Sequence, residues 1–362
     1  MSNGVWLCSK PAAKPMTINR METLLSAQGR QAVFHIGEPS EIATARRAAC
    51  NLAKAMGFNE TVTAEVAIAV TEAGTNIAKY AGAGEILLRK AVRYDGAVGV
   101  EILALDRGPG IAQLSRRMED GSSTGGSYGI GLGTMKRLAD QFDIYTAAGQ
   151  GTVICLSFWR KPDPDFASCC DIGTVCLPIA GEMLCGDAWG VRRDGEKITV
   201  LLADGLGHGP LAATASEAAC MTLVNRPTTS AAQALRHAHL DLQGTRGAAV
   251  GIACIHDDRR TTFAGVGNIA GCVLQNGKSH HLISHNGIVG SNLRKVQEFD
   301  SPWSSDSLLI MLSDGIKTRW DMSQYPGLAL LYPALVAAVL YRDFNRASDD
   351  TTVIVCRDRK VH

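Results

Sequence analysis

The sequence predicts an α+β protein made of two unlike bodies, and three observations carry that reading. At 362 residues the chain exceeds a usual single domain of roughly 100–200 residues. Its apolar periodicity changes character on either side of "RKPDPDF" at 160–166, where two prolines lie among charges. Acids and glycines gather at the ends of apolar runs in both halves, where a strand hands over to a turn or helix. The expected division is an extension over 1–30, a first domain over 31–160, a linker over 161–169 and a second domain over 170–358.

Residues 1–30, which include "SKPAAKPM", lack sustained periodicity. From Ser40, Ile42, Ala45, Ala49, Leu52 and Met56 recur at helical intervals; Gly57 ends that helix and Asn59 caps the next. The second helix aligns Val62, Val66, Ala69, Ala73 and Ile77 into an apolar stripe. "GEILLRKAVRY" and "VGVEILALD" then read as strands paired around "DGA". A glycine-rich stretch at 121–133 leads to an expected helix "TMKRLADQF", and the strands "IYT" and "TVICLSFW" close this half. Beyond the linker, strands are expected at "KITVLLAD", "AAVGIACI", "TTFAGVG", "GCVLQNGK", "SLLIMLSD" and "TTVIVC", with helices at "GPLAATASEAACMTLV" and "GLALLYPALVAAVLY".

Composition narrows the function classes. With 46% hydrophobic and 20% charged residues, each half can bury a core. Thirty-six basic against 35 acidic residues leave a net charge of +1, which offers no electrostatic case for nucleic acid or an acidic membrane as partner. The N-terminus lacks a signal-type apolar core, and no apolar run approaches the roughly 20 residues of a membrane span, so a cytoplasmic protein is expected. The 11 cysteines are scattered without CxxC spacing and read as reduced thiols. His280, His281 and His285 read as polar surface between strands rather than as metal ligands.

Two constellations carry chemistry. In "VTEAGTNIAKYAG", Glu72 and Asn76 share one helix face, with Lys79 and Tyr80 a turn further, opposite the apolar stripe. Asp106 ends a strand before "RGPGI", where it can accept from an exocyclic amine while Gly108 and Gly110 let backbone pass close to a planar group. Gly125, Gly126, Gly129, Gly131 and Gly133 stand before a helix, an arrangement suited to phosphate oxygens; alone, such glycines equally describe a flexible loop. In the second half Asp187, Asp204, Asp314 and Asp349 with Asp350 each lie at a strand edge. Converging carboxylates repel unless cations sit among them, so hard divalent metals are expected, with Gly205 free to turn its carbonyl inward. Two such metals sharing Asp204 would activate a water for attack on phosphorus.

Over 31–160 the chain resembles the GHKL (Bergerat) ATPase/kinase superfamily, specifically its anti-sigma-factor and stress-switch serine kinases of the RsbW and RsbT kind. Glu72 and Asn76 match its N-box, "DRGPG" its adenine box, "GGSYGIGLG" its phosphate lid, and "GT" at 151–152 its last box. The resemblance implies an α/β sandwich that binds ATP and Mg²⁺. Asn76 would hold the metal, Asp106 would read adenine, and Lys79, Thr152 and the glycines would complete the nucleotide site. Glu72 would be the general base. No phospho-acceptor helix precedes the lid, which argues against a histidine kinase. Over about 170–358 the order "GD", "ADGLGHG", "RGAAVGIA", "GVGN", "SDG", "DDTT" resembles the PPM phosphatases of the SpoIIE/RsbX branch, a β-sandwich flanked by helices. That resemblance assigns Asp187, Asp204 and the Gly205 carbonyl to one Mn²⁺ or Mg²⁺, and Asp204, Asp314 and Asp349 to the other, with Asp350 behind them. His208 is a candidate general acid or a turn residue, and Arg246 a phosphate contact or a solvated loop residue.

Together the resemblances imply an ATP-dependent serine/threonine kinase fused to a phosphoserine/phosphothreonine phosphatase. The implied partner is a STAS-domain antagonist or related switch protein, with a sigma factor or a phosphatase as further candidates. A homodimer is a further candidate assembly, because related kinase domains often pair. The competing reading makes the first half a non-catalytic ATP sensor that gates the phosphatase.

Overall fold

Two of the expected helices follow directly from local chemistry in the computed structural model, which describes residues 22–25, 30–93, 95–112, 114, 128–162, 170–195, 197–226 and 229–358. Helix α1 (Pro39–Ala55) follows β1 (Glu22–Leu25) and β2 (Ala32–Ile36) and begins on a proline, whose missing N–H costs nothing in a first turn. It ends before Gly57, which adopts φ +77°. Helix α2 (Glu60–Asn76) is capped by Asn59, whose side chain accepts the Val62 N–H at 2.9 Å. Val66, Ala69, Val70 and Ala73 are its buried stripe, and the helix runs on into a π turn at Ile77–Ala81.

The strands β3 (Gly84–Val92), β4 (Val98–Asp106), β5 (Gln141–Thr146) and β6 (Thr152–Trp159) join β2 in an antiparallel sheet of order β2-β3-β4-β6-β5. Alternation along each strand sends Ile86, Leu88, Val100, Ile102, Ile154 and Leu156 toward the helices, including α3 (Tyr128–Leu138). The other face carries Leu87, Leu103, Leu105, Val153 and Cys155, and it too is buried.

The second half is two packed sheets. In the first, β8 (Asp187–Asp194), β9 (Lys197–Gly205), β10 (Ala248–Ile255) and β11 (Arg260–Val266) run in that order. β1 extends it beside β8, so a strand from the segment expected as an extension is part of the phosphatase-half sheet. β14 (Ser284–His285) and β15 (Phe299–Pro302) both pair with β11. The second sheet has the order β13-β12-β16-β17-β7 (Lys278–Leu282, Ala270–Gln275, Leu308–Leu312, Thr351–Asp358 and Cys170–Leu177). Val200, Leu202 and Trp189 meet Leu309, Met311 and Ile354 between the sheets. Helices α4 (Pro210–Asn225) and α5 (Ala231–Asp241) cover the outside of the first sheet.

Helix α6 (Pro333–Phe344) covers the outside of the second sheet, and its other side lies on the sheet of the first half. Every residue from Ala334 to Tyr341 is buried, as a helix enclosed between two sheets must be. Gly173 of β7 makes the approach feasible: a Cβ there would stand 1.9 Å from the Ala334 nitrogen.

Several expectations need correction. The helix expected over 134–142 instead spans Tyr128–Leu138, and Gln141 and Phe142 belong to β5. Gly129, Gly131 and Gly133 therefore lie within a helix, not ahead of it. Of "GLALLYPALVAAVLY", Leu328–Leu330 form a 3₁₀ turn, and the α-helix starts at Pro333, whose fixed φ suits a first turn. β2, β7, β8 and α5 had no sequence expectation. The described cysteines are unpaired by disulfide. His280 and His281 are exposed on the edge strand β13, and the described residues hold no histidine-centred metal cluster. Among the described residues no helix is long and apolar enough to cross a membrane.

Candidate active sites

The nucleotide-type site forms where α2, α3 and the ends of β4 and β6 meet. Glu72 and Asn76 share the α2 face that Gly131 of α3 approaches. A Cβ on Gly131 would lie 2.7 Å from Glu72 Oε2 and 3.6 Å from Asn76 Nδ2, so glycine leaves those two side chains their room. A cleft opens beside them, lined by Asn76, Ile77, Tyr80, Asp106, Gly110 and Thr152 among others. Its apolar walls and few polar groups suit a planar heterocycle.

Asp106 is held from two directions: Gly108 N–H donates to its Oδ1 at 2.8 Å and Thr152 N–H at 3.1 Å. Both bonds fall on Oδ1, which leaves Oδ2 as the oxygen a ligand amine would meet. Burial pushes the Asp106 carboxyl above the usual range, while those two amides and Arg342 pull it back. Gly110 needs its freedom, since it has φ +74° and a Cβ would meet the Ala147 carbonyl at 2.1 Å. Gly108 is pressed against Ala81, 2.8 Å from where its Cβ would be. Thr152 is buried, its hydroxyl 3.1 Å from that of Thr146.

The structure thus brings Glu72, Asn76, Asp106, Gly108, Gly110, Gly131 and Thr152 to one place. Gly129 lies in the first turn of α3, and Gly133 is one turn beyond it on the same helix. Lys79 is exposed, with its ammonium 5.0 Å from the Tyr80 ring centre, beside the cleft rather than in its wall. Gly125 and Gly126 lie outside the described residues.

The acidic site gathers at one end of the sandwich. Asp187 opens β8 and Asp204 lies near the end of β9, and the two are direct cross-strand partners. Asp314 follows β16, and Asp349 and Asp350 precede β17, the neighbouring strand. Asp187 is buried and faces Ser313 and Thr352, which partly offset the burial that drives its carboxyl well up. Asp204 is pushed up to about 9, by burial first and then by Asp187, Asp314, Asp349 and Asp350. Asp314 is raised by burial and by Asp349, and Asn268 Nδ2 donates to it at 2.5 Å.

Asp350 sits behind the cluster and accepts the Ile179 N–H at 2.9 Å. Its Oδ2 and the Asp187 Oδ2 are buried without a hydrogen-bond partner. Orphaned carboxylate oxygens beside an overcrowded Asp204 are the donor set that hard divalent cations satisfy. Among the described residues no three such side chains close on a common point at ligand distances. The convergence is therefore one of neighbouring carboxylates, not a finished coordination shell.

Gly205 is explained by packing as well as by chemistry, because a Cβ there would stand 2.2 Å from the Ala212 carbonyl of α4. His208 is exposed and paired through Nδ1 with Glu182 at 2.8 Å. Arg246 reaches over the same loop, its Nη1 3.2 Å from the position of a Gly207 Cβ. Asn268 was missed as an individual residue, although "GVGN" stood out as a motif.

Fold and sites together define a two-headed signalling enzyme, an ATP-binding GHKL domain joined to a metal-dependent PPM phosphatase. Comparison with known proteins agrees half by half. Residues 37–158 match the family described as the histidine kinase-like ATPase domain, and residues 194–359 match stage II sporulation protein E (SpoIIE). The serine/threonine-protein kinase RsbT of Bacillus subtilis (strain 168) is 41% identical over 121 residues, which is 33% of this chain and 90% of RsbT. The phosphoserine phosphatase RsbX of the same organism is 25% identical over 138 residues, or 38% of this chain and 69% of RsbX. A solved chain from the bacterial stressosome is 28% identical with a TM-score of 0.49, covering 52% of this chain and 99% of its own length. The chain belongs to the RsbT family of GHKL serine/threonine kinases, here fused to a SpoIIE-type phosphatase domain.

Proposed function

We propose that the protein sets the phosphorylation state of a serine or threonine on a STAS-domain switch protein, adding phosphate at one site and removing it at the other. The crowding of Asp204 by four other carboxylates supports the hydrolytic half most directly, because bound divalent cations would relieve the repulsion that otherwise drives Asp204 to hold its proton. Asp187, Asp204 and the Gly205 carbonyl would hold one Mn²⁺ or Mg²⁺, and Asp204, Asp314 and Asp349 the other. When bound, the cations supply charge neutralisation and an activated water. Asp350 and Asn268 orient the acids around them. Exposed Met183 and Leu206 on the surrounding loops, with Leu211 in the first turn of α4, suit a protein substrate better than a small phosphate ester.

In the kinase half, Asp106 would orient adenine, Asn76 would hold Mg²⁺, and the amides at the start of α3 would face phosphate. Lys79 would add charge at the rim. Glu72, on the same helix face as Asn76, would take the proton from the substrate hydroxyl. Phosphoryl transfer needs positioning and neutralisation more than covalent help, so this short set of groups is sufficient. We place the protein in the cytoplasm, where ATP and a STAS partner are both found.

The test is mass spectrometry of a STAS protein incubated with the full chain and ATP, then with Mn²⁺ after ATP is removed. Glu72→Ala should abolish phosphopeptide formation and spare dephosphorylation, and Asp314→Asn should do the reverse. Transfer that survives Glu72→Ala would remove Glu72 as the base and favour the ATP-sensor reading of the first half.

A further inference from the structure

We propose that Arg342, a residue of the phosphatase half, is a positioning residue of the nucleotide site, and that helix α6 passes nucleotide occupancy on to the loops carrying Asp314 and Asp349. The inference rests on the nucleotide-site reading above, and it is independent of whether Glu72 acts as a base.

The contact itself is specific. Arg342 is 4% exposed, and its guanidinium is clamped by Asp343, with Nε donating to Oδ1 at 2.7 Å and Nη2 to Oδ2 at 2.8 Å. That clamp aims Nη1 at the main-chain carbonyl of Asp106, which accepts at 3.2 Å. Arg107 returns the contact, its Nη2 donating to the Arg342 carbonyl. The residue whose carboxylate faces the adenine pocket is thus gripped through its backbone by the last turn of α6. An arginine that only served α6 would have no reason to cross to the other half. A carbonyl at the C-terminus of a helix is also a natural acceptor for a cation such as Arg107.

The same turn braces the acidic site. Lys317 N–H donates to the Phe344 carbonyl at 2.9 Å, and Arg346 N–H donates to the Gly315 carbonyl at 2.8 Å. Asn345 forms a β-bridge with Ile316. Both sets of contacts hold the segment that carries Asp314. The Asn345 side chain then accepts the Thr351 hydroxyl at 3.1 Å and the Ala347 N–H at 2.9 Å, shaping the turn that presents Asp349 and Asp350. Only a few residues therefore separate the Asp106 contact from both metal-acid loops.

Helix α6 is enclosed from Pro333 to Arg342, so Arg342 has little room to move within the helix, and a displacement there is passed to the half-buried Asp343–Asn345 turn that contacts the acid loops. A nucleotide that tightens the Asp106 turn must either accept the existing position of Arg342 or move it. If occupancy favours one position, the acid loops feel that preference, and by linkage metal binding feeds back on the nucleotide to the same degree.

The experiment uses the full chain and the non-hydrolysable analogue AMP-PNP with Mg²⁺. Arg342→Met should weaken analogue binding by about fivefold or more, and Arg342→Lys should recover part of that loss, because it keeps a cationic donor. In the wild type, hydrogen exchange at 313–317 and 342–350 should slow when the analogue binds. Arg342→Met should lose that response. Analogue binding by Arg342→Met within about twofold of wild type, or saturated wild type with unchanged exchange in both segments, would overturn the proposal. Should Arg342→Met fail to fold, the wild-type exchange comparison decides alone. Failure of the wild type to bind the analogue would overturn the nucleotide-site reading together with this inference, whereas binding without a response overturns the inference only.

Discussion

If Glu72 is the base proposed above, the missing Cβ of Gly131 is a place where catalysis and stability separate. The atom it would meet first is Glu72 Oε2, at 2.7 Å, the far end of a flexible side chain. Gly131→Ala should therefore fold at least as well as wild type, since alanine is favoured over glycine within a helix by about 1 kcal/mol. The displaced Glu72 carboxylate should nevertheless cut phosphotransfer by about tenfold or more, in line with the loss of a positioned base. Melting temperature and transfer rate measured together check this; a large fall in melting temperature would mean that the neighbouring backbone, not Glu72, absorbs the clash. At this scale much was legible in the sequence. Glu72, Asn76, Asp106, Asp187, Asp204 and Asp314 could be picked out as candidates by residue type and spacing, and all but Glu72 lie at or beside the end of an element. The glycines were harder. Five in nine residues look like a loop by composition, and the tertiary approach of α3 to α2 accounts for Gly131, whereas a Cβ on Gly133 would meet only Arg137 of its own helix.

Helix α6 and strand β7 make the corresponding case for elements. Gly173 lets the strand lie against the helix backbone, with a Cβ there only 1.9 Å from the Ala334 nitrogen and 2.1 Å from the Pro333 carbonyl carbon. These are main-chain atoms, so nothing flexible can give way. Gly173→Val should lower stability by about 2–3 kcal/mol or more through overpacking, read from urea unfolding of the full chain. A loss below about 0.5 kcal/mol would show that α6 slides without cost. The same glycine explains why β7, "CDIGTVCL", was not foreseen, because a glycine and an acid interrupt its apolar run. β8, "DAWGVRRD", is hidden by glycine and paired arginines. Helix α5, "AAQALRHAHLD", buries mainly alanines, which leave only a faint stripe. Strong periodicity survived translation into structure, and elements whose packing depends on small residues did not announce themselves.

At the scale of the molecule, the sequence divides the chain into two halves, whereas the structure joins them through a shared core. Leu87, Leu103 and Leu105 of the kinase sheet, helix α6, and Leu308, Ile310 and Leu312 of the phosphatase sheet belong to one buried cluster. The near-continuous apolar runs of β3, β4 and β6 were the available signal, since a strand apolar on both sides is covered on both sides. Periodicity reports that a face is buried, and is silent about what covers it. Within this interface Arg89 and Glu101 form a buried pair, Nε to Oε1 at 2.5 Å, and Arg89 Nη1 crosses to the Thr174 hydroxyl of β7 at 2.5 Å. Glu101→Ala leaves a buried guanidinium without its counter-charge and should cost about 3–5 kcal/mol. Replacing both partners, as Arg89→Met with Glu101→Leu, should restore most of that loss. Because the core is shared, the destabilisation should reach both halves. Calorimetry of Glu101→Ala should show one transition moved downward, with nucleotide binding and Mn²⁺-dependent hydrolysis lost over the same temperature interval. Two transitions, of which only the kinase one moves, would mean that the halves are coupled by proximity alone and that α6 is a spacer, not a shared structural member.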